Sequence, residues 1–256
     1  MTLRRYDIVT LFRGIFSGPL HESILGRVQE KALVHIRVHD LRDWTHDRHR
    51  VVDDVPYGGG AGMVLKPEPF FEAVDALREP ESQVVLLTPQ GERFNHAMAC
   101  RLAEERHLIF LCGRYEGFDE RLRTLVDREV SIGDYVLSGG ELPALVVIDA
   151  MVRLIPGALG DEDSAVQDSF ATGLLDYPQY TRPAEYRGLE VPQVLLSGDH
   201  EQIRRWRRRE AVRRTLLRRP DLLDRAPMTA EDQLLLSEIR AEGESERTNI
   251  RRGHEH

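Results

Sequence analysis

Three glycine-bearing segments, residues 53–63, 111–117 and 131–141, have the composition of ligand-binding loops. Glycine has no Cβ atom and tolerates positive φ, so the backbone can turn sharply there or approach a ligand within hydrogen-bonding distance. Ordinary tight turns need the same residue, and no single segment identifies a site. None has the Gly-x-Gly-x-x-Gly spacing of a dinucleotide fold or the Gly-Lys-Ser/Thr end of a phosphate loop, which argues against both chemistries.

The other chemistry-bearing residues argue against further classes of enzyme. His46 and His49 lack the His-Glu-x-x-His arrangement of zinc proteases, and no Gly-x-Ser-x-Gly elbow is present for a serine nucleophile. Cys100 and Cys112 are the only cysteines, and they form no Cys-x-x-Cys pair. Neither a disulfide framework nor a thiolate zinc site is therefore indicated, and both cysteines are predicted to be buried thiols.

A mostly parallel sheet is predicted to position the glycine segments. Residues 84–88 and 108–112 are nearly continuous apolar runs, which is typical of strands covered on both faces. The helix between them has a predicted N-cap at Asn95. Strand, helix and strand also alternate at the start of the chain, which predicts an α/β fold with helices on both faces of the sheet. The remaining predicted elements are strands over 6–12 and 32–38 and helices over 14–30 and 95–105.

The order of these elements predicts where a ligand would bind. In open α/β sheets, ligands bind outside the carboxyl ends of the strands. Gly113 directly follows the predicted strand 108–112. We therefore expect Gly113 and the stretch 132–140 to lie where a small cofactor would bind.

The last third of the chain is predicted to form a small helical domain. A helix over 142–154 precedes an acidic stretch without period over 158–171, which predicts an exposed linker or mobile loop and a nearby boundary. Helical patterns then cover 201–219 and 229–241, and the tail 242–256 is predicted to be frayed.

Charge is distributed unevenly along the 256 residues. The net charge of −8 does not indicate a polyanionic partner, but residues 201–225 hold ten arginines against four acids. This excess predicts either a phosphate-binding surface or a solvated helix face, because the chain uses 33 arginines and only 2 lysines throughout. No apolar run approaches the roughly 20 residues that span a bilayer, and the start lacks a signal-peptide pattern. We therefore expect a cytoplasmic protein with no membrane partner.

A series of motifs between Tyr6 and Leu223 resembles the bacterial tRNA (guanine-N1)-methyltransferase family. Their combination and order are far more specific than any single motif. Two features depart from the family pattern, namely Arg13 in place of the usual proline and a tail after Leu223 without recognisable motifs. The motifs lie at residues 45–50, 52–54, 56–60, 62–63, 89–91, 112–117, 131–143, 168–170, 173–176, 180–183, 195–198 and 203–207.

The resemblance implies a homodimer of the SPOUT class, whose sheet domain is tied into a deep trefoil knot that binds S-adenosylmethionine. On this basis residues 1–160 form the knotted cofactor domain, 161–172 a mobile linker or lid, and 173–256 a helical tRNA-binding domain with a frayed tail. The cofactor-binding residues that it implies are Gly113, Ile132, Gly133, Asp134, Tyr135, Val136, Leu137, Ser138, Gly139 and Gly140, with Pro89, Gln90 and Gly91 in a neighbouring knot loop.

The reaction implied by the resemblance is methylation of N1 of the guanosine at tRNA position 37, just 3′ of the anticodon. Asp168 matches the family's general base, and Arg153 matches the arginine that would stabilise negative charge on O6. Glu116 is a candidate for binding the N1–H or 2-amino edge of guanine. Judged without the resemblance, these three are a helix cap or loop acid, a surface arginine and a turn residue.

Further residues and partners follow from the same resemblance. Arg114 and Tyr115 are candidates for positioning the cofactor or a phosphate, and a divalent ion, usually Mg²⁺, is expected at an unknown position. Residues 204–209 would grip the tRNA with four further arginines, while Trp206 either stacks on a base or belongs to the core. The further arginines are Arg213, Arg214, Arg218 and Arg219.

Two other functions stay open at this point. One is a SPOUT enzyme that methylates a ribose hydroxyl or an rRNA base. The other is a non-enzymatic RNA-binding module that uses only the basic helical segment.

Overall fold

The computed structural model of the chain describes residues 3–160 and 168–253. The chain divides into two compact units, Met1–Glu162 and Asp163–His256. The division falls inside the acidic segment whose composition predicted a boundary. The functions predicted for the domains stay predictions.

The first unit is built around a five-stranded sheet with strand order β2-β1-β6-β5-β7, in which every neighbouring pair is parallel. β3 and β4 form a separate antiparallel ribbon. The strands are β1 (Arg4–Thr10), β2 (Val34–Asp40), β3 (Asp53–Asp54), β4 (Val64–Leu65), β5 (Ser82–Arg93), β6 (His107–Cys112) and β7 (Arg128–Ser131). The helices are α1 (Ser23–Glu30), α2 (Pro67–Leu77), α3 (His96–Glu104) and α4 (Glu141–Val152).

Helical elements cover both faces of this sheet. Tyr6 and Ile8 of β1 belong to a core shared with α1, α3 and α4, whereas Val9 faces a second core shared with α2. Side chains alternate between the two faces along a strand, so one strand contributes to both cores. All six residues of β6, the central strand, are buried. The predicted α/β fold, with a mostly parallel sheet and helices, is confirmed.

Local turn chemistry explains where the elements depart from prediction. The helix predicted from residue 14 begins only at Ser23, because Gly18 and Pro19 interrupt it and two short 3₁₀ turns take its place. β5 continues to Arg93, with a break in its pairing between Leu87 and Glu92. Asn95 caps α3 as predicted and accepts a hydrogen bond from the Met98 N–H (3.0 Å).

The second unit is mostly helical over its described residues. Leu174, Val212 and Ile239 form its small apolar core. The last helix, Ala230–Gly253, continues beyond the predicted end at residue 241. The elements are β8 (Glu185–Tyr186), β9 (Leu189–Glu190), α5 (Gln193–Leu196), α6 (His200–Arg218), α7 (Pro220–Leu223) and α8 (Ala230–Gly253).

None of the helices within the described ranges has both the length and the hydropathy that a membrane span requires. Cys112 is buried as predicted, whereas Cys100 is only half-buried.

Candidate active site

A cavity of about 350 Å³ lies in the first unit at the carboxyl ends of β6 and β7 and beside residues 86–90 of β5, where the pairing of that strand breaks. This volume falls within the roughly 300–1,000 Å³ of small-molecule sites, and the position is where open α/β sheets bind ligands. Much of the lining comes from the loops that follow β6 and β7, including Gly113 and most of the predicted stretch 132–140.

Two glycines bring separate segments together at the cavity wall. The N–H of Gly140 donates to the carbonyl of Gly113 (3.0 Å). A Cβ at Gly140 would lie 2.8 Å from the Cα of Cys112, and one at Gly113 would lie 2.5 Å from the ring of Phe118. A side chain at either position would therefore push the segments apart, so close packing requires glycine at both.

The stretch 132–137 places apolar groups at the mouth of the cavity. Gly133 has φ +156°, and the N–H of Tyr135 donates to its carbonyl (3.0 Å). The Tyr135 hydroxyl donates to the Ile132 carbonyl (3.3 Å). Val136 is 85% exposed and Tyr135 is also exposed. These side chains offer an apolar surface to a ligand or a partner.

The segment that carries Glu116 packs against the glycine segment 53–63 and against β4. The N–H of Glu116 donates to the Met63 carbonyl (3.1 Å), and the N–H of Leu65 donates to the Gly117 carbonyl (2.9 Å). Gly62 has φ +80°, and a Cβ there would lie 2.5 Å from the Glu116 side chain. The ribbon of β3 and β4 thus supports the loop that carries Glu116.

Tyr115 lies on the same loop with φ +60°. Burial and its hydrogen bond with Asp53 raise the pKa of the Tyr115 phenol. The phenol therefore stays protonated at neutral pH and acts as a hydrogen-bonding group rather than as a base.

The cavity brings together most of the residues predicted to bind a cofactor. Gly91 and Asp134 do not line it. Gly91 packs against the backbone of β7, where a Cβ would lie 2.5 Å from the carbonyl carbon of Glu129. The Asp134 side chain is 92% exposed and lies 3.9 Å from Arg93. The predicted residues that line the cavity are Pro89, Gln90, Gly113, Arg114, Tyr115, Glu116, Ile132, Gly133, Tyr135, Val136, Leu137, Ser138, Gly139 and Gly140.

Sequence reasoning missed several lining residues. Phe118 closes the cavity beside Gly113, and Arg123 lies at its edge, where its Nη2 donates to the Gln90 side chain (2.5 Å). A phenylalanine in a turn and an arginine in a short 3₁₀ helix carry no signal of this role in a single sequence, because both positions depend on tertiary packing.

The two residues predicted to perform the chemistry belong to different units. Arg153 is the C-cap residue of α4 in the first unit, is half-buried and does not line the cavity. Asp168 is half-buried in the second unit, where its backbone carbonyl accepts from the Ala171 N–H (3.2 Å). Their catalytic roles stay predictions.

Residues 168–170, the Asp-Ser-Phe motif, begin a turn that is hydrogen-bonded to α6 of the second unit. The N–H of Phe170 donates to the carbonyl of Leu174 (2.7 Å), a buried core residue. The N–H of Leu175 donates to the Thr215 hydroxyl on α6 (2.9 Å). Of the predicted linker 161–172, residues 161–167 lie outside the described residues, and 168–172 belong to this turn.

No cluster of three or more His, Cys, Asp or Glu side chains within the described ranges could hold a metal ion. His46, which lies in one of the family motifs, pairs with Glu72 at the surface (2.7 Å). The structure therefore suggests no position for a divalent ion among the described residues.

Acids neutralise much of the basic helix α6. Arg204 pairs with Glu201 (2.7 Å) and Glu231 (3.3 Å), and the other pairs lead mainly to α8. They are Arg205–Glu238 (3.8 Å), Arg208–Asp232 (2.5 Å), Arg209–Glu242 (2.6 Å) and Arg213–Glu242 (3.0 Å).

A second set of α6 arginines has no such pairs. Arg207, Arg214 and Arg218 form no ion pair with another described side chain, and their spacing of seven and four residues places them on one side of the helix. We call these three the arginine stripe. Arg207 lies 4.9 Å from the centroid of the Tyr177 ring. Trp206 is half-buried beside Tyr180, with ring centroids 6.4 Å apart.

A parallel α/β sheet with a glycine-walled cavity at its carboxyl edge defines the class of proteins that bind a nucleotide-like cofactor at the ends of their strands. Comparison with known proteins identifies the family. The model of the family described as tRNA (Guanine-1)-methyltransferase TrmD matches residues 4–225.

Similar proteins described as tRNA (guanine-N(1)-)-methyltransferases span nearly the same length. The protein of Dictyoglomus turgidum is 57% identical over 238 residues, which cover 93% of this chain and 97% of the relative. That of Syntrophotalea carbinolica is 54% identical, with 94% and 98% covered. That of Geobacillus kaustophilus is 56% identical, with 94% and 100% covered.

The chain belongs to the tRNA (guanine-1)-methyltransferase family. This confirms the family that the motifs predicted and the class of enzyme, a tRNA (guanine-N1)-methyltransferase. Family membership also implies S-adenosylmethionine as methyl donor.

Proposed function

We propose that the chain transfers a methyl group from S-adenosylmethionine to N1 of the guanosine at position 37 of tRNA. The observation that carries this proposal is the cavity at the carboxyl edge of the sheet, lined by the glycines and apolar residues that the family motifs assign to the methyl donor. The tRNA is the second substrate.

The cavity fits the cofactor chemically. The glycines at 113, 139 and 140 place backbone rather than side chains at the wall, and backbone N–H and C=O groups suit hydrogen bonding to a purine edge. Ile132, Val136 and Leu137 supply apolar surface to cover the adenine face. When bound, S-adenosylmethionine supplies an electrophilic methyl group on a sulfonium.

Asp168 acts as the general base in this proposal. N1 of neutral guanine carries a proton, and its lone pair is delocalised, so the nitrogen is a poor nucleophile until the proton leaves. An aspartate with a reference pKa of about 3.9 is too weak to remove that proton unaided. A second group must therefore stabilise the guanine anion.

Arg153 supplies that stabilisation, because its guanidinium can donate hydrogen bonds to O6, where negative charge develops. Removing such a donor typically costs about 2.7–4 kcal/mol of transition-state stabilisation. The N1–H bond breaks, its proton moves to Asp168, and the freed electron pair forms the N1–methyl bond as the sulfur–methyl bond breaks. Glu116, at the cavity wall, is assigned to the Watson–Crick edge of the base.

We propose a homodimer formed by the outer face of α4. The helix sequence is apolar on nearly every side, yet Leu142 and Val146 are 52% and 47% exposed. A helix that is apolar all round is normally buried, so a second copy of the chain is the proposed partner. Arg153 follows this face at helical spacing, which supports a site shared between subunits. The deep trefoil knot is part of the same proposal.

A mixing experiment tests the shared site. Arg153→Ala and Asp168→Ala proteins are each expected to be inactive, whereas coexpressed mixtures should regain about a quarter of wild-type activity, because each mixed dimer then holds one intact site. Mixed dimers that stay as inactive as either parent would contradict a site built from both subunits.

The arginine stripe of α6 is the proposed contact with tRNA phosphates. The other arginines of α6 already have acidic partners within the second unit, as described above. Trp206 beside Tyr180 is assigned to packing rather than to base stacking.

Magnesium dependence is expected from the family, but the described residues offer no ligand set, and no step of the mechanism uses the ion. We also propose a cytoplasmic location, because the tRNA substrate is found there.

Nucleoside analysis tests the proposed function. Unmodified tRNA is incubated with protein and S-adenosylmethionine, digested with a guanosine-specific ribonuclease and analysed by mass spectrometry. We expect N1-methylguanosine in the fragment that contains position 37. A methyl group on a ribose, on another base or at another position would contradict the proposal.

A further inference from the structure

Glu141, the first residue of α4, is fully buried although it is an acid. An acidic residue in the first turn of a helix normally stays in solvent, where it interacts favourably with the helix dipole. Burying a carboxylate is unfavourable unless charged or hydrogen-bonding partners compensate it. The partners of Glu141 therefore explain its position.

Thr10 and Arg114 are those partners. Oε1 of Glu141 accepts hydrogen bonds from Thr10 Oγ1 (2.7 Å) and Arg114 Nε (3.2 Å), and Oε2 lies 3.0 Å from Arg114 Nη2. Thr10 is also fully buried, and its Oγ1 accepts from the Phe12 N–H (3.0 Å). The carboxylate thus joins the end of β1 to the loop that follows β6.

Arg114 in turn contacts the cavity wall. Its Nη1 donates to the carbonyl of Ser138 (3.1 Å), and its backbone forms an isolated antiparallel bridge with Gly139. Its guanidinium lies 4.3 Å from the centroid of the Phe12 ring. Ser138 and Gly139 line the cavity, so a displacement of Arg114 would move the wall itself.

The absence of a side chain at Gly139 leaves space for the buried carboxylate. A Cβ at this position would lie 2.5 Å from Oε2 of Glu141. Glycine at 139 therefore lets the wall approach the ion pair closely. Glu141 itself does not line the cavity.

We infer that Glu141 is a positioning residue for the methyl-donor site, which fixes Arg114 through a buried ion pair and thereby fixes the wall at residues 138–140. The inference rests on the proposed function, because it takes S-adenosylmethionine as the occupant of the cavity. Glu141 acts through Arg114 and does not touch the ligand.

Glu141→Gln tests the inference, because it keeps the size of the side chain and removes the charge that holds Arg114. We expect the dissociation constant of S-adenosylmethionine, measured by calorimetry, to rise roughly tenfold or more, since charge-assisted hydrogen bonds are the stronger ones. An unchanged constant in a folded variant would overturn the inference.

Asp232→Asn is the matched control. Asp232 is also a buried carboxylate that binds an arginine, but Asp232 and its partner Arg208 both belong to the second unit. We expect this variant to lower the melting temperature while the dissociation constant of S-adenosylmethionine stays at the wild-type value. If both variants lower the melting temperature and neither changes the constant, Glu141 has only a structural role.

A double-mutant cycle tests the route through Arg114. Arg114→Met alone should weaken cofactor binding, and adding Glu141→Gln should weaken it little further, because the two residues act as one unit. Fully additive losses would contradict the inference. If Glu141→Gln does not fold, Thr10→Val replaces it. We expect Thr10→Val to weaken binding of S-adenosylmethionine by a smaller factor. A folded Thr10→Val protein with wild-type affinity would count against the inference.

The same titrations separate the inference from the proposed function. A wild-type protein that does not bind S-adenosylmethionine overturns both. A wild-type protein that binds, with a Glu141→Gln protein that binds equally well, overturns only the inference.

Discussion

Glu141 in the first unit and Asp232 in the second are both buried carboxylates that face an arginine. Asp232 binds Arg208 (2.5 and 2.8 Å) together with the N–H and hydroxyl of Thr229 (both 2.8 Å), so its partners join α6 to the start of α8. The partners of Glu141 come instead from the end of β1 and from the loop that follows β6, which lines a ligand cavity. The same chemical pair therefore stabilises helix packing in one unit and a cavity wall in the other.

The two units also differ in how much local change they should tolerate. The wall of the first unit depends on backbone contacts too close for any side chain, as at Gly140. In the second unit the long side chains of α6 and α8 meet at a partly exposed, charged boundary. We therefore expect a side chain added at the tightest glycine of the cavity wall to abolish binding of S-adenosylmethionine, and substitutions on α6 to weaken tRNA binding by degrees.

Gly140→Val should have the largest effect. Its Cβ would lie 2.8 Å from the Cα of Cys112, a backbone atom that cannot rotate away. We expect calorimetry to detect no binding of S-adenosylmethionine. Gly18→Val is the control, because a Cβ there meets nothing within 4 Å and the affinity should stay at the wild-type value. Wild-type affinity of Gly140→Val for S-adenosylmethionine would show that cofactor binding does not depend on the close backbone contacts of the first unit.

Neutralising the arginine stripe should have a smaller, graded effect on tRNA binding. Replacing Arg207, Arg214 and Arg218 by glutamine should weaken binding and reduce the slope of log affinity against log salt by about 2–3, because each lost phosphate contact reduces it by about 0.7–0.9. Binding is measured by filter retention at several salt concentrations.

Arg204→Gln and Arg205→Gln together give the comparison within the same helix, since both arginines are exposed and paired with acids. Their change in slope per arginine removed should be clearly smaller than that of the stripe. Equal changes per arginine would show that pairing with acids does not separate the two groups.

Asp232→Asn should change the pH dependence of stability. Hydrogen bonds from Arg208 and Thr229 lower the pKa of Asp232 from its usual 3.8 to about 2. The ionised group therefore stabilises the fold above pH 3.8 by about 2 kcal/mol, and this contribution is lost as the pH falls towards 2.

Thermal melts of wild-type and Asp232→Asn proteins between pH 6 and pH 2 measure this effect. The difference in stability should be largest at pH 6 and shrink below about pH 4. A difference that stays constant with pH would contradict the assigned pKa. Both proteins should also lose stability at low pH because of Asp7. Burial opposes the ionisation of Asp7, but hydrogen bonds from His39, His107 and Arg5 lower its pKa to about 2.

Gly243→Ala should have the smallest effect and the opposite sign. Gly243 lies inside α8, and a Cβ there meets nothing within 4 Å. Alanine should stabilise the helix by about 0.5–1 kcal/mol, because it loses less conformational freedom on folding. A slightly higher melting temperature with unchanged cofactor affinity is expected, and a lower melting temperature would contradict this.

Local patterns predicted the parts of the fold that depend on local chemistry. The apolar run of β6 indicated a strand covered on both faces, and Asn95 marked the start of α3. Both signals depend only on residues that are close in sequence. The start of α1 was missed, since helical spacing continued through Gly18 and Pro19.

The ion pairs could not be predicted in the same way. No neighbouring residue in the sequence indicates that Glu141 is buried, and its partners Thr10 and Arg114 are distant in sequence. The sequence did not distinguish the arginines of α6 from one another, because the acids that pair with some of them lie on α8. Contacts between distant segments decide both cases, and a single sequence does not encode them in a local pattern.

The most direct test of the proposed chemistry is the Asp168→Asn protein in single-turnover methyl transfer with tRNA and saturating S-adenosylmethionine. Loss of a general base typically costs about 10²–10⁴ in rate, so we expect N1-methylguanosine to form at least a hundredfold more slowly, with the cofactor dissociation constant unchanged. Methylation at the wild-type rate would show that another group removes the proton and would contradict the proposed role of Asp168.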